Sequence, residues 1–116
     1  MGAVLQIIIA DTFFKRFVGL LGRCSLRTNE ALLLSKCPRV HTFFMGIAID
    51  VVVLDGSDRV LRIIECLTPW RIAPRVTGAV SCLEMAAGAA RAFGIVSGLR
   101  LQCEQVGDGQ LLGRMV

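Results

Sequence analysis

Short runs of β-branched and aliphatic residues, separated by turn residues, recur along most of the chain. Such runs are typical of buried strands. They stand at VLQIII, ALLLS, IDVVVL, VLRII, AVSCLEM and GLRLQCEQV. The pattern therefore predicts about six to eight short strands.

Two stretches have helical periodicity instead. Apolar residues at positions 13, 14, 17, 18, 20 and 21 form one stripe of a predicted helix, Phe13–Leu21. The alanine-rich stretch AAGAARAFG predicts a second, shorter helix that Gly94 ends. Together these elements predict a mainly β (α+β) fold, a jelly-roll-like sandwich or barrel with one or two peripheral helices.

A hairpin is predicted within VHTFFMGIAIDVVVLDGSDRVLRI, where Asp55-Gly56 separates two β-branched runs. We expect Ile49–Leu54 and Arg59–Ile64 to pair antiparallel. A three-residue turn would set Asp50 opposite Arg62, whereas a two- or four-residue turn would set them on opposite faces.

Length and composition indicate one globular domain. The 116 residues are 54% hydrophobic and 19% charged, which is too apolar for a disordered chain. The longest apolar stretch is interrupted by Asp50 and is far short of the roughly 20 residues of a spanning helix. The start of the chain predicts a strand and not a signal peptide, so we expect a cytoplasmic protein. We place the domain at residues 1–106 and expect a mobile tail over 107–116, which contains three glycines.

The net charge of +4 comes from arginines that are scattered along the chain. Nucleic-acid binding usually needs a clustered basic face. We therefore expect no nucleic-acid or membrane partner, and a monomer or weak dimer.

The cysteines predict neither disulfides nor metal binding. Their number is odd and they are far apart in sequence: Cys24, Cys37, Cys66, Cys82 and Cys103. Zinc ligands usually come in closely spaced pairs, which this chain lacks. We expect free thiols, no metal and no cofactor.

Two polar residues in the hairpin region are candidates for chemistry. His41, the single histidine, has a side chain suited to proton transfer, and Asp50 could orient it beside a cysteine nucleophile. The local signatures of such enzymes are missing, and a histidine at a strand start is the simpler interpretation. Asp50 itself could face solvent, or could accept hydrogen bonds from buried amides or an arginine.

The most economical functional hypothesis is a binding or accessory module for a small apolar ligand or a peptide. Trp70 lies in the proline-containing connection TPWRIAPRVTG, where it either covers the core, which we favour, or lines a groove. An apolar groove with a few polar anchors is the usual makeup of a ligand site. The candidate site residues are Phe43, Phe44, Asp50, Trp70 and Glu84. The alternative is a small hydrolase or transferase that uses His41 with a cysteine or Asp50.

Several blocks, in order, resemble the family of bacterial and archaeal proteins called domain of unknown function 192. They are FVGLLGR, EALLL, VHTFFMGIAIDVVVLDGSDRVLRI, PWR and CLEMAAGAARAFGIVSGLRL, which cover about Ile9 to Leu101. The resemblance implies a small, mainly β domain of jelly-roll or barrel type, and it implies no activity. The chain departs from the pattern at Ala48 and Ala86, where the family suggests proline, and at Leu99, where it suggests aspartate.

Overall fold

A computed structural model of the protein describes residues 4–9, 29–42 and 46–116. Within these ranges the chain forms seven strands and one short helix: β1 Leu5–Ile9, β2 Glu30–Leu34, β3 Ile49–Leu54, β4 Val60–Leu67, β5 Ser81–Ala86, α1 Ala89–Ala92, β6 Leu101–Gly107 and β7 Gln110–Met115. The predicted mainly β class is confirmed. The predicted helix Phe13–Leu21 lies outside the described residues.

The seven strands form one mixed sheet in the order β4-β3-β5-β2-β1-β7-β6. Strands β1 and β2 pair in parallel, and the other neighbours pair antiparallel. The two edge strands approach each other at one end, where Arg59 and Arg100 form an isolated bridge. The sheet is not closed into a barrel, and no second sheet of the jelly-roll type occurs in the described ranges.

Both faces of the sheet centre are buried, which explains why β3 is a continuous apolar run with one aspartate. One face, here called the helix face, packs Val52 and Leu83 with α1. The other, here called the loop face, packs Val51 with Val40 and Ala73 from two connections. Every residue of β3 is buried, so any substitution in this strand changes the packing on one of the two faces.

The predicted hairpin of β3 and β4 is confirmed. Its turn runs over residues 55–59, and the Asp55 carboxylate closes it by accepting hydrogen bonds from the N–H groups of Ser57 and Arg59. One extra residue of β4 shifts the register, so Arg62 lies opposite Val53. Side chains alternate along a strand, so Arg62 and Asp50 lie on opposite faces.

Residues 107–116, expected to form a mobile tail, contain strand β7, which pairs with both β1 and β6. The glycines of this segment suggested a mobile tail, but two of them meet specific requirements of the folded structure. Gly109 adopts a positive φ of 65° in the turn between β6 and β7. At Gly113 a Cβ atom would lie 2.5 Å from Cδ1 of Ile7, so the missing side chain leaves room for the Ile7 side chain in the core.

The described cysteines Cys37, Cys66, Cys82 and Cys103 are free thiols, and Cys24 lies outside the described residues. In the same ranges the single helix, α1, is too short to cross a membrane.

Candidate functional site

The structure describes three of the five predicted site residues, and these three lie in two different settings. Phe43 and Phe44 lie outside the described residues. Asp50 and Glu84 are buried in the sheet, whereas Trp70 is exposed on a connection. The three described residues therefore do not line one apolar groove together.

Asp50 is a buried acceptor for backbone amides. Its side chain is 0% exposed on the helix face. The N–H of Cys66 in β4 donates to Oδ1 at 2.8 Å, and the N–H of Ala90 in α1 donates to Oδ2 at 3.0 Å. Cys66 has a φ of 52°, the left-handed conformation, within an irregular part of β4. Asp50 thus joins three elements, and the alternative of a solvent-facing aspartate is wrong.

Glu84 lies in the middle of the sheet and is 3% exposed. It is opposite Val51 of β3 and Leu32 of β2, whereas Asp50 is opposite Met85. Glu84 therefore belongs to the loop face and Asp50 to the helix face. The two carboxylates cannot serve as paired anchors of one site.

Trp70 lies on a two-stranded ribbon that covers the loop face. Residues 40–42 and 70–73 form this ribbon, with His41 bridged to Ile72. The N–H of Ala73 donates to the carbonyl of Val40 at 2.9 Å, and the N–H of Trp70 donates to the carbonyl of Thr42 at 3.0 Å. Val40 and Ala73 point into the core, so the ribbon is anchored on its inner side.

Thr42, which the sequence did not suggest, fixes the ribbon. Its side chain is 0% exposed. The hydroxyl donates to the carbonyl of Thr68 at 2.6 Å and accepts a bond from the N–H of Arg71 at 2.9 Å. In the sequence, Thr42 is marked only by its place in VHTFF, a block that carries the family resemblance.

The outer side of the ribbon is an exposed apolar surface. Trp70 is 60% exposed and Ile72 is 55% exposed, and His41, across from Ile72, is also exposed. These three residues are called the Trp70 surface below. Trp70 has a φ of 65°, a conformation that costs a non-glycine residue about 1–2 kcal/mol. The preferred expectation that Trp70 covers the core is wrong, because most of its side chain faces solvent.

The geometry does not bring His41 to Asp50, because His41 belongs to the ribbon over the loop face and Asp50 to the helix face. Both oxygens of Asp50 are also engaged by amides. Burial, with the nearby Cys37 and Glu84, raises the pKa of the Cys82 thiol to about 12 and keeps it protonated. Among the described residues no group of three or more His, Cys, Asp or Glu side chains could hold a metal ion.

Comparison with protein families matches residues 1–103 to the domain of unknown function 192, described as an uncharacterised ACR. The chain belongs to this family. A UPF0127 protein from Thermococcus sibiricus is 36% identical over 72% of the chain and 56% of its own length. A second, from Pyrococcus horikoshii, is 39% identical over 58% of the chain and 60% of its own length. The matched part is thus somewhat over half of each of these archaeal relatives, and the resemblance noted from the sequence is confirmed.

Two solved structures share the fold. A protein of unknown function from Novosphingobium aromaticivorans matches 79% of the chain and 70% of its own, with a TM-score of 0.69 and 22% identity. A candidate transcription regulator from Sinorhizobium meliloti matches 87% of the chain and 94% of its own, with a TM-score of 0.73 and 16% identity. At these identities the likeness concerns the fold alone.

Proposed function

We propose that this domain is a binding module, and that its Trp70 surface holds a small apolar ligand or the apolar side chains of a peptide. The observation that carries the proposal is the 60% exposure of a tryptophan whose backbone is fixed in the left-handed conformation. Residues in such conformations cluster at ligand sites, where surrounding contacts hold them in place.

The free energy available at this surface is appreciable. A buried aromatic side chain removes up to about 250 Å² from water, so covering the exposed part of Trp70 removes roughly 150 Å². At about 25 cal/mol per Å², this contributes about 3–4 kcal/mol before the losses of association. Ile72 adds a second apolar contact. Because the buried Thr42 already holds the ribbon, little ordering is needed on binding.

The predicted aromatic pair lies outside the described residues and is kept in the proposal as a prediction from the sequence. Phe43 and Phe44 directly follow Thr42 in the sequence, and we include them in the proposed contact region on that ground alone. Asp50 and Glu84 are too buried to touch a ligand on the ribbon. We assign Asp50 a structural role in place of the anchoring role suggested by the sequence.

A ligand screen by amide chemical shifts tests the proposal. We expect small apolar aromatic compounds to shift the amides of residues 40–42 and 70–73 and the indole N–H of Trp70. Truncation of an interface tryptophan commonly costs about 2 kcal/mol or more, so Trp70→Ala should weaken binding more than about tenfold. Val106→Ala is the matched control, because Val106 is 54% exposed on β6 and far from the ribbon in sequence.

The alternative enzyme hypothesis gives a different result. If a screened compound is turned over, and His41→Ala abolishes turnover while Trp70→Ala leaves it intact, the binding proposal is wrong. Shifts that cluster away from the ribbon, with Trp70→Ala binding as tightly as the natural sequence, would also overturn it.

A further inference from the structure

A groove lies along the outer edge of β4, on the helix face of the sheet and so across the sheet from the ribbon. Its volume is about 400 Å³, within the range of ligand pockets. Its floor contains Ala90 and Ile95, which are 0% and 4% exposed. The rim includes Arg62 of β4 and Arg91 of α1.

The edge strand presents backbone groups to this groove. The backbone N–H and carbonyl of Val60 both point away from β3. The N–H donates to the carbonyl of Leu99 at 2.7 Å, and the carbonyl accepts from the N–H of Gly98 at 2.9 Å. Leu54 and Val60 therefore form a non-hydrogen-bonded pair of the antiparallel ladder. The next pair, Val53 and Arg62, is then a hydrogen-bonded pair.

The two kinds of pair alternate along an antiparallel ladder, so the direction of the backbone groups of the next residue, Ile63, follows. Ile63, opposite Val52, must point its N–H and carbonyl away from β3 and toward the groove. An edge that presents such groups can accept an added strand.

The charges at the rim favour an acidic partner. Arg91 binds Glu65 through Nε and Nη2, both at 3.1 Å, which uses one edge of the guanidinium and leaves Nη1 directed away from Glu65. Arg62 directly precedes Ile63 in β4, so its side chain lies on the other face of the sheet. The rim therefore carries two cations and one anion within a chain of net charge +4.

We propose that the β4 groove binds an extended acidic peptide segment by strand addition. The peptide backbone would pair with Ile63, and its apolar side chains would contact Ala90 and Ile95 on the helix face. Its carboxylates, which alternate to the other face of the added strand, would contact Arg62. This site is independent of the Trp70 surface, since the ribbon packs on the opposite face of the sheet.

The test is titration of the labelled full chain with the peptide acetyl-Glu-Val-Glu-Val-Glu-amide. We expect saturable amide shifts at Ile63, at Glu65 and in residues 94–97, with slowed hydrogen exchange at the Ile63 amide. Cross-strand charge pairs contribute up to about 1 kcal/mol, so Arg62→Glu should weaken binding by about five- to tenfold. Arg114→Glu on β7 is the matched control, because it makes the same charge change at a residue that does not line the groove.

Two measurements separate strand addition from simple charge attraction. Methylation of alternate backbone nitrogens of the peptide, in the register facing Ile63, should abolish binding without changing its charge. Ile63→Pro should do the same from the protein side, since proline is tolerated where an edge N–H faces outward, with Ile63→Val as control.

Equal binding of the methylated peptide or of the lysine peptide acetyl-Lys-Val-Lys-Val-Lys-amide would overturn the proposal. So would a lack of saturable shifts up to millimolar peptide. Shifts confined to the Trp70 indole and residues 70–73 would support the proposed apolar surface and overturn the β4 groove, so the two proposals fail separately.

Discussion

Replacement of Asp50 by alanine would remove a carboxylate that joins β3 to both β4 and α1. The two N–H groups that it accepts, from Cys66 and Ala90, would lose their acceptor in a part of the fold where Asp50 is 0% exposed. Asp50→Asn is the more conservative change, because the amide keeps one acceptor oxygen but turns an NH₂ group toward one of the two donors.

The expected loss of unfolding free energy follows from the two hydrogen bonds that Asp50 accepts. Hydrogen bonds to a charged group contribute about 1.5–3 kcal/mol each, and the removal of a buried charge returns part of its desolvation energy. We therefore expect Asp50→Ala to lower the free energy of unfolding by about 2–4 kcal/mol, out of a total of about 5–15 kcal/mol for a domain of this kind. Asp50→Asn should lose somewhat less.

Urea unfolding followed by circular dichroism measures the loss, and amide hydrogen exchange locates it at Cys66 and Ala90. Asp55→Asn is the matched control, because the Asp55 carboxylate also accepts two backbone N–H groups but lies in an exposed turn where water can replace it. The reasoning is refuted if Asp50→Asn loses no more stability than Asp55→Asn, or if exchange at Cys66 and Ala90 is unchanged in Asp50→Ala.

Three further substitutions test the packing. Thr42→Val removes a buried hydroxyl with two partners and should cost about 1–3 kcal/mol in unfolding free energy, whereas Thr42→Ser should cost less; equal losses would contradict the role of the hydroxyl. Gly113→Ala brings a methyl group against Ile7 and should cost about 1–3 kcal/mol in urea unfolding, while Gly46→Ala, with open space around its Cβ position, should be nearly neutral. Burial raises the pKa of Cys82 from 9.0 to about 12, so the unfolded chain loses this proton first as pH rises. Stability should then fall between pH 9 and 12 by at most about 1.4 kcal/mol per pH unit, and Cys82→Ala should flatten that fall; an unchanged slope in urea titrations would show that another group is responsible.

The strands and the main hairpin could be predicted from the sequence because their apolar runs are long and their turn residues are distinctive. IDVVVL and the segment after Asp55-Gly56 occupy β3 and β4 as expected. The order of strands could not be predicted, since the pairing of β5 with both β2 and β3 depends on long-range packing. β7 was missed because the glycines at positions 107, 109 and 113 are also typical of mobile tails, and Ile7, which packs against Gly113, is distant in sequence.

The candidate site was harder to predict for physical reasons. The partners of Asp50 could not be predicted, because the irregular register of β4 is what places the Cys66 amide beside its carboxylate. Whether Trp70 covers the core or faces solvent depends on its positive φ and on the bonds of Thr42, and neither leaves a clear pattern in the sequence. The prediction that a functional surface includes Trp70 remains a proposal, and its partners on the ribbon were visible only in the structure.

The central claim, that the Trp70 surface binds an apolar partner, is tested most directly by the fluorescence of Trp70. The chain has one tryptophan and no tyrosine, so this emission reports on that residue alone. Because Trp70 is 60% exposed, emission of the free protein should be that of a solvated indole and should be quenched readily by acrylamide. A compound found in the amide screen should shift the emission to shorter wavelength and protect it from quenching, with the same saturation curve as the amide shifts. A compound that binds saturably yet leaves both emission and quenching unchanged would contradict the account.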